Sequence, residues 1–198
     1  MISIVNYGMG NLGSIINMLK KIGQDSQLVS RPSEILRSER IILPGVGSFD
    51  NAMKLLGDLQ FTEPIREAAQ KGIPILGICL GMQLLGTESE EGELPGLNLV
   101  SGKVKRFPQM DGLKIPHMGW NEVKFYDEKL IHGLENNRFY FVHAYYFDVR
   151  HPGDVAGETT YGITFPSVIK NNNVTGFQFH PEKSHKYGMQ LLRNFVVC

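Results

Sequence analysis

Short apolar runs that end in glycine alternate, through the first half of the chain, with segments whose apolar residues recur at spacings of three and four. ISIVNY (2–7) passes through GMGN into LGSIINMLKKIG. RIILPGVGSF (40–49) leads into DNAMKLLGDL, and TEPIREAAQKG follows with a helical pattern of its own. IPILGI (73–78) then feeds CLGMQLLG. Short continuous apolar runs suit strands covered on both faces, and the three–four spacing suits amphipathic helices. Strand, loop and helix repeated in this order predict an α/β fold with a mostly parallel central sheet and helices on both faces.

The second half changes character. LVSGKVKRF, GLKIPHMGWNEVKF, RFYFVHAYYFDV, DVAGETTYG and FPSVIKNNNVTGFQFHP are β-rich, with turn residues between them. The KNNNV segment (170–174) predicts a hairpin, because asparagine tolerates positive φ. An amphipathic helix over about 185–196 turns Tyr187, Leu191, Leu192 and Phe195 toward a core. With no linker, repeat or low-complexity block, the expectation is one domain over 1–198.

A chain of 198 residues can bury about 70% of its unfolded surface. Lys+Arg and Asp+Glu both number 20, so no net charge points to nucleic acid or an anionic membrane as partner. The acidic ESEEGE (88–93) is expected to be a solvated loop. No apolar run reaches the ~18 residues a membrane span needs, and the N-terminus lacks the pattern of a signal peptide. A cytoplasmic setting is expected, where thiols stay reduced. Of the two cysteines, Cys79 and Cys198, the second is the last residue, a poor anchor for a structural disulfide.

Cys79 sits in GICLG, between an apolar run and a helical one. A residue at a sharp strand-to-helix turn is strained, with its side chain standing clear, and its neighbours two positions away must be small. The helix N-terminus favours thiolate over thiol, and the N–H of Leu80 can point toward an oxyanion. The same five residues would also suit an inert cysteine buried in a tight turn. A nucleophile needs a base, and His180 has the most suggestive setting of the six histidines. It ends the strand-like VTGFQFH, alternation puts it on one side with Gln178, and Glu182 can hold its tautomer. A core histidine remains the plain alternative. The HPEKSH segment matches no zinc spacing, so no metal is expected. PGVG (44–47) would lie beside GICLG at the carboxyl ends of parallel strands, where Val46 and Leu80 can pair their amides as an oxyanion hole.

Together GICLGMQLL and GFQFHPEKS, with Cys79 and His180 101 positions apart, resemble the class I glutamine amidotransferases. YGMGN, LPGVGSF, PHMGWN (116–121) and RFYFVHAYYF (138–147) extend the resemblance over almost the whole chain. These details are similar to the glutaminase subunits that deliver ammonia to a HisF-type (β/α)8 cyclase in histidine biosynthesis. The resemblance implies a flavodoxin-like sheet, L-glutamine as substrate, no cofactor, and a heterodimer. It implies a triad of Cys79 as nucleophile, His180 as base and Glu182 as orienter. Gly47, Gly81, Gln83, His143, Ala144 and Tyr145 fall at glutamine-contacting positions, and Asn11, Trp120 and Lys183 at positions facing the cyclase. Trp120 would serve equally well as a core residue. Ala144 stands where the family often has a small hydroxyl residue, so a backbone contact would survive there and a side-chain contact would not.

Two other functions share part of these features. A related subunit feeding ammonia to a sugar amidotransferase of surface-polysaccharide synthesis would keep the same glutaminase half. A non-enzymatic flavodoxin-like redox sensor would use the elbow cysteine, but it leaves His180 and Glu182 without a role.

Overall fold

The computed structural model describes residues 1–197, and Cys198 lies outside the described residues. The elements run β1 (Ile2–Val5), α1 (Leu12–Lys21), β2 (Ser26–Val29), β3 (Arg40–Gly45), α2 (Phe49–Asp58), α3 (Thr62–Gln70), β4 (Ile75–Cys79) and α4 (Leu80–Leu84). The β-rich half follows with β5 (Glu88–Ser89), β6 (Gly102–Arg106), β7 (His117–Glu122), β8 (Lys124–Phe125), β9 (Arg138–His143) and β10 (Tyr145–Val149). It closes with β11 (Val155–Tyr161), β12 (Ile163–Asn171), β13 (Val174–Phe177) and α5 (His185–Val197).

An eight-stranded sheet of order β2-β1-β3-β4-β13-β12-β11-β8 forms the centre. Its first five strands are parallel, in the flavodoxin-like order, and the last three are antiparallel. Alternation along the central strands divides the core in two. Ile41, Leu43 and Ile75 pack with Phe49, Leu56 and Ile65 of α2 and α3. Ile42, Leu76 and Ile78 pack with Ile15 and Leu19 of α1 and with Leu191, Leu192 and Phe195 of α5. Two small sheets, β10-β6-β5 and β7-β9, lie outside this frame. The hairpin between β12 and β13 turns through Asn172 at φ 51°, as the asparagine run predicts.

The acidic segment departs from the expected solvated loop. Glu88 and Ser89 pair with β6, and Glu90 accepts the Arg106 N–H at 3.0 Å. Glu91 accepts the N–H of Phe49 at 2.9 Å, satisfying one of the orphan donors at the start of α2. The Asp50 carboxylate in turn receives the N–H groups of Glu93 and Leu94, both at 3.0 Å. The charges that face water on this segment hide a set of backbone ties that hold it against α2.

Candidate active site

Cys79 has φ 55° and ψ −111°, a conformation that costs a non-glycine residue about 1–3 kcal/mol. The flanking glycines make it possible. A Cβ on Gly81 would lie 1.9 Å from the Leu43 carbonyl oxygen, and one on Gly77 2.6 Å from that of Gly81. Strand and helix thus meet at backbone contact, and Cys79 stands at the wall of a cavity of about 320 Å³. Gly81 lies immediately beneath that wall, its packing leaving room for backbone alone. Because α4 has only five residues, help to a thiolate comes from first-turn N–H groups rather than from a long macrodipole.

Gly45, the last residue of β3, lies opposite Cys79 in the parallel register. A Cβ there would fall 2.8 Å from the Gly81 nitrogen, so the two loops touch. Val46 and Gly47 follow on the cavity wall beside Leu80, with Gly47 at φ 101° and Val46 43% exposed. The Tyr7 hydroxyl, buried behind this loop, donates to the Pro44 carbonyl at 2.7 Å and braces it.

His180 approaches from the β-rich half. β13 stops at Phe177 rather than at the histidine. Beyond it, Gln178 donates its N–H to Ser167 and His180 donates its own to Tyr140. The alternation nonetheless persists. The rings of Phe177 and Phe179 stack in the core at 5.2 Å, while Gln178 and His180 turn toward Cys79. His180 Nδ1 and Glu182 Oε1 are 2.7 Å apart, and both side chains are only 2% exposed. His180 Nε2 is buried without a hydrogen-bond partner of its own. Burial is the largest influence on this imidazole and works against its charge. The Cys79 sulfur and the Glu182 carboxylate outweigh it and raise the pKa to about 10. The arrangement favours imidazolium beside the sulfur, a cation that can assist a cysteine nucleophile.

Val142, His143, Ala144 and Tyr145 form the facing wall with Gln83 below them. Both ring nitrogens of His143 are taken up inside the protein, one by the Tyr145 carbonyl at 2.7 Å and one by His117 at 2.9 Å. Its ring is thus held in place from both sides on the cavity wall. The Ala144 carbonyl accepts the Phe107 N–H. Glu91, placed by its sequence context among solvated charges, also reaches this cavity, half-buried and with its pKa raised by burial. Nothing in the ESEEGE pattern distinguishes that carboxylate from its neighbours; the tie to Phe49 does.

Of the expected partner positions, only Lys183 lines the cavity. Asn11 occupies the N-cap position of α1, with no side-chain hydrogen bond to the helix. Trp120 is 39% exposed and stacks on His185 at 5.5 Å and 9°. It also meets Tyr140 edge-on, and the Lys183 ammonium lies 5.7 Å from that ring. These four side chains form one exposed aromatic and cationic patch beside the cavity mouth, which settles Trp120 as a surface residue. His185 is thereby directed away from the His180–Glu182 pair, and the described residues contain no group of three or more His, Cys, Asp or Glu able to hold a metal. No helix among them is long and apolar enough to cross a membrane.

A family profile described as class-I glutamine amidotransferase matches residues 3–198. The chain is 48% identical to "Imidazole glycerol phosphate synthase subunit HisH 2" of Methanococcus maripaludis, over 99% of this chain and 98% of that protein. It is 44% identical to the protein of the same name in Pseudomonas aeruginosa, again over 99% and 98%. Among solved structures, a glutamine amidotransferase superposes with a TM-score of 0.79 at 21% identity, covering 100% of this chain and 98% of that one.

Proposed function

The chain belongs to the class I glutamine amidotransferases, and from that premise we propose that it is the glutaminase subunit of an imidazole glycerol phosphate synthase. It hydrolyses L-glutamine to glutamate and passes the ammonia to a HisF-type (β/α)8 cyclase, which makes imidazole glycerol phosphate and AICAR. The observation that carries the reading is a strained cysteine and a buried His180–Glu182 pair meeting at one cavity, with the imidazole's second nitrogen unpartnered.

The chemistry follows from these parts. The Cys79 thiolate attacks the side-chain amide carbon of glutamine, and the N–H groups of Val46 and Leu80 receive the oxyanion. As the tetrahedral adduct collapses, imidazolium of His180 protonates the departing nitrogen, and ammonia leaves a γ-glutamyl thioester. His180, now neutral, takes a proton from water; the resulting hydroxide attacks the thioester and expels the thiolate, releasing glutamate. Glu182 holds the imidazole by Nδ1 throughout, so that Nε2 does the proton transfer. Glu91 is suited to the substrate's α-ammonium, since it is the carboxylate on the cavity wall outside the triad. Every step uses side chains, backbone amides and water, so none requires a cofactor. Ammonia protonated in bulk water is no nucleophile, which is why a partner must receive it directly. Asn11, Trp120 and Lys183 would face that partner.

Glutamate release by the purified chain, alone and with a HisF-type cyclase carrying its nucleotide ligand, tests the proposal. The expected result is slow hydrolysis alone and at least tenfold faster hydrolysis in the complex. A chain that neither hydrolyses glutamine nor binds the cyclase would overturn the assignment. Full-rate hydrolysis without the cyclase, with a sugar-amidating enzyme retained from native lysate instead, would reassign the acceptor.

A further inference from the structure

A chain of polar groups runs from β7 to Cys79, and the donor and acceptor at each contact can be deduced in turn. Asn121 Oδ1 accepts the Glu122 N–H at 2.8 Å, so its amide nitrogen is the end that faces His117 Nε2, 3.2 Å away. His117 Nε2 is then an acceptor, and the proton of that ring sits on Nδ1. Nδ1 lies 2.9 Å from His143 Nε2, which must accept, leaving the His143 proton on Nδ1, where the Tyr145 carbonyl receives it at 2.7 Å. The same carbonyl receives Gln83 Nε2 at 3.1 Å. That contact fixes the Gln83 amide, whose nitrogen also donates to Gln178 Oε1 at 3.1 Å. With its oxygen committed there, Gln178 can present only its nitrogen to Cys79, 4.0 Å from the sulfur.

We propose that Asn121, His117, His143, the Tyr145 carbonyl, Gln83 and Gln178 act as one positioning relay, whose two arms both donate to the Tyr145 carbonyl, and which holds an N–H donor toward the Cys79 sulfur to stabilise charge on it as it attacks. This rests on the glutaminase reading of the site and extends it: Gln178 touches the reacting atom, and His117 is a positioning residue acting through His143. His117 and Gln178 are 2% and 0% exposed, so neither hydrogen bond is exchanged with bulk water. The ring of His117 is sandwiched between Tyr161 at 4.1 Å and Phe141 at 4.7 Å, which fixes its plane. Burial pushes the pKa of His117 down to about 4 and that of His143 to about 3, keeping both rings neutral, each with one N–H to donate and one nitrogen to accept.

The relay is tested on the full chain by iodoacetamide alkylation of Cys79, resolved from Cys198 by mass spectrometry, alongside steady-state glutamate release. Gln178→Leu should slow alkylation and lower kcat by roughly tenfold or more, with a smaller change in KM, as expected for losing a donor to a charged group. His117→Phe keeps the aromatic sandwich but leaves His143 Nε2 unpaired, and should reproduce the loss in weaker form. His117→Asn restores a donor at the Nδ1 position and should recover most of it. A folded Gln178→Leu with wild-type alkylation and kcat would overturn the relay. Should these variants fail to fold, nitrogen-15 spectra of the wild type decide the matter: both rings must be the neutral Nδ1–H tautomer at pH 7, and an Nε2–H tautomer or an imidazolium at either position would overturn it. Alkylation and tautomer spectra need no turnover, so a wild type that releases no glutamate would count against the glutaminase reading and leave the relay to be judged separately.

Discussion

Exchanging the Cys79 sulfur for oxygen changes one atom and puts a much weaker nucleophile at the elbow. Cys79→Ser should therefore lose glutamate release by roughly 10³-fold or more with an unaltered melting temperature. His180→Asn should be comparably damaging, since the imidazole moves a proton in both half-reactions. Glu182→Gln should be milder, within the roughly 10²–10⁴-fold range of general acid–base help. Steady-state assays with circular dichroism in parallel check all three. The charge state of His180 gives an independent reading. Its pKa is raised to about 10 against the pull of burial, with Cys79 the leading upward influence. In Cys79→Ala that influence is gone, so the ring should release its proton at a lower pH than in the wild type, and an NMR titration that shows no downward movement would contradict the pairing. That Cys79, His180 and Glu182 come together was legible in the sequence because each sits in a local pattern, the two glycines around Cys79 and the HPE order after a strand. Tyr7, Glu91 and Gln178 were not, because their roles arise from contacts 37, 42 and 99 positions away along the chain.

Where β3, β4 and α4 converge, the side chain is excluded by backbone. Gly81→Ala would drive a Cβ to 1.9 Å from the Leu43 carbonyl oxygen, and overpacking of this kind costs about 1–3 kcal/mol or more. Gly13, exposed on α1 with nothing within 4 Å of where a Cβ would stand, makes the opposite case. Gly13→Ala should gain about 0.4–1 kcal/mol through the unfolded chain's lost freedom. Denaturant midpoints of the two variants should move in opposite directions. The strands β1, β3 and β4 and the helices after them were predictable because each carries a full apolar run or stripe. Those that escaped the pattern are edges or fragments. In β2 only Val29 of the four residues is buried, and β5 and β8 have two residues each. A strand that short has no period to detect. The β-rich half announced its strands but not their partners: β7 pairs only with β9, and β10 with β6, in sheets separate from the central one.

Across the whole molecule, the two halves of the chain meet at the cavity, and the Trp120–Tyr140–His185–Lys183 patch beside its mouth offers what a partner interface anchors on: a half-exposed tryptophan, held rigid by stacking. Trp120→Ala should weaken the complex with a HisF-type cyclase by about 2 kcal/mol, roughly thirtyfold in Kd. Calorimetric titration checks this, and an unchanged Kd would move the interface elsewhere.

The insertion of β13 between β4 and β12 also sets a timetable. The nucleophile leaves the ribosome 101 positions ahead of its base, a delay of roughly 5–20 s at ~5–20 residues per second. Throughout that interval the central sheet lacks the strand that leads to His180, and Cys79 stands without the imidazole that faces it. On the proposed mechanism, a chain cut short before β13 would carry Cys79 without its imidazole and leave glutamine untouched.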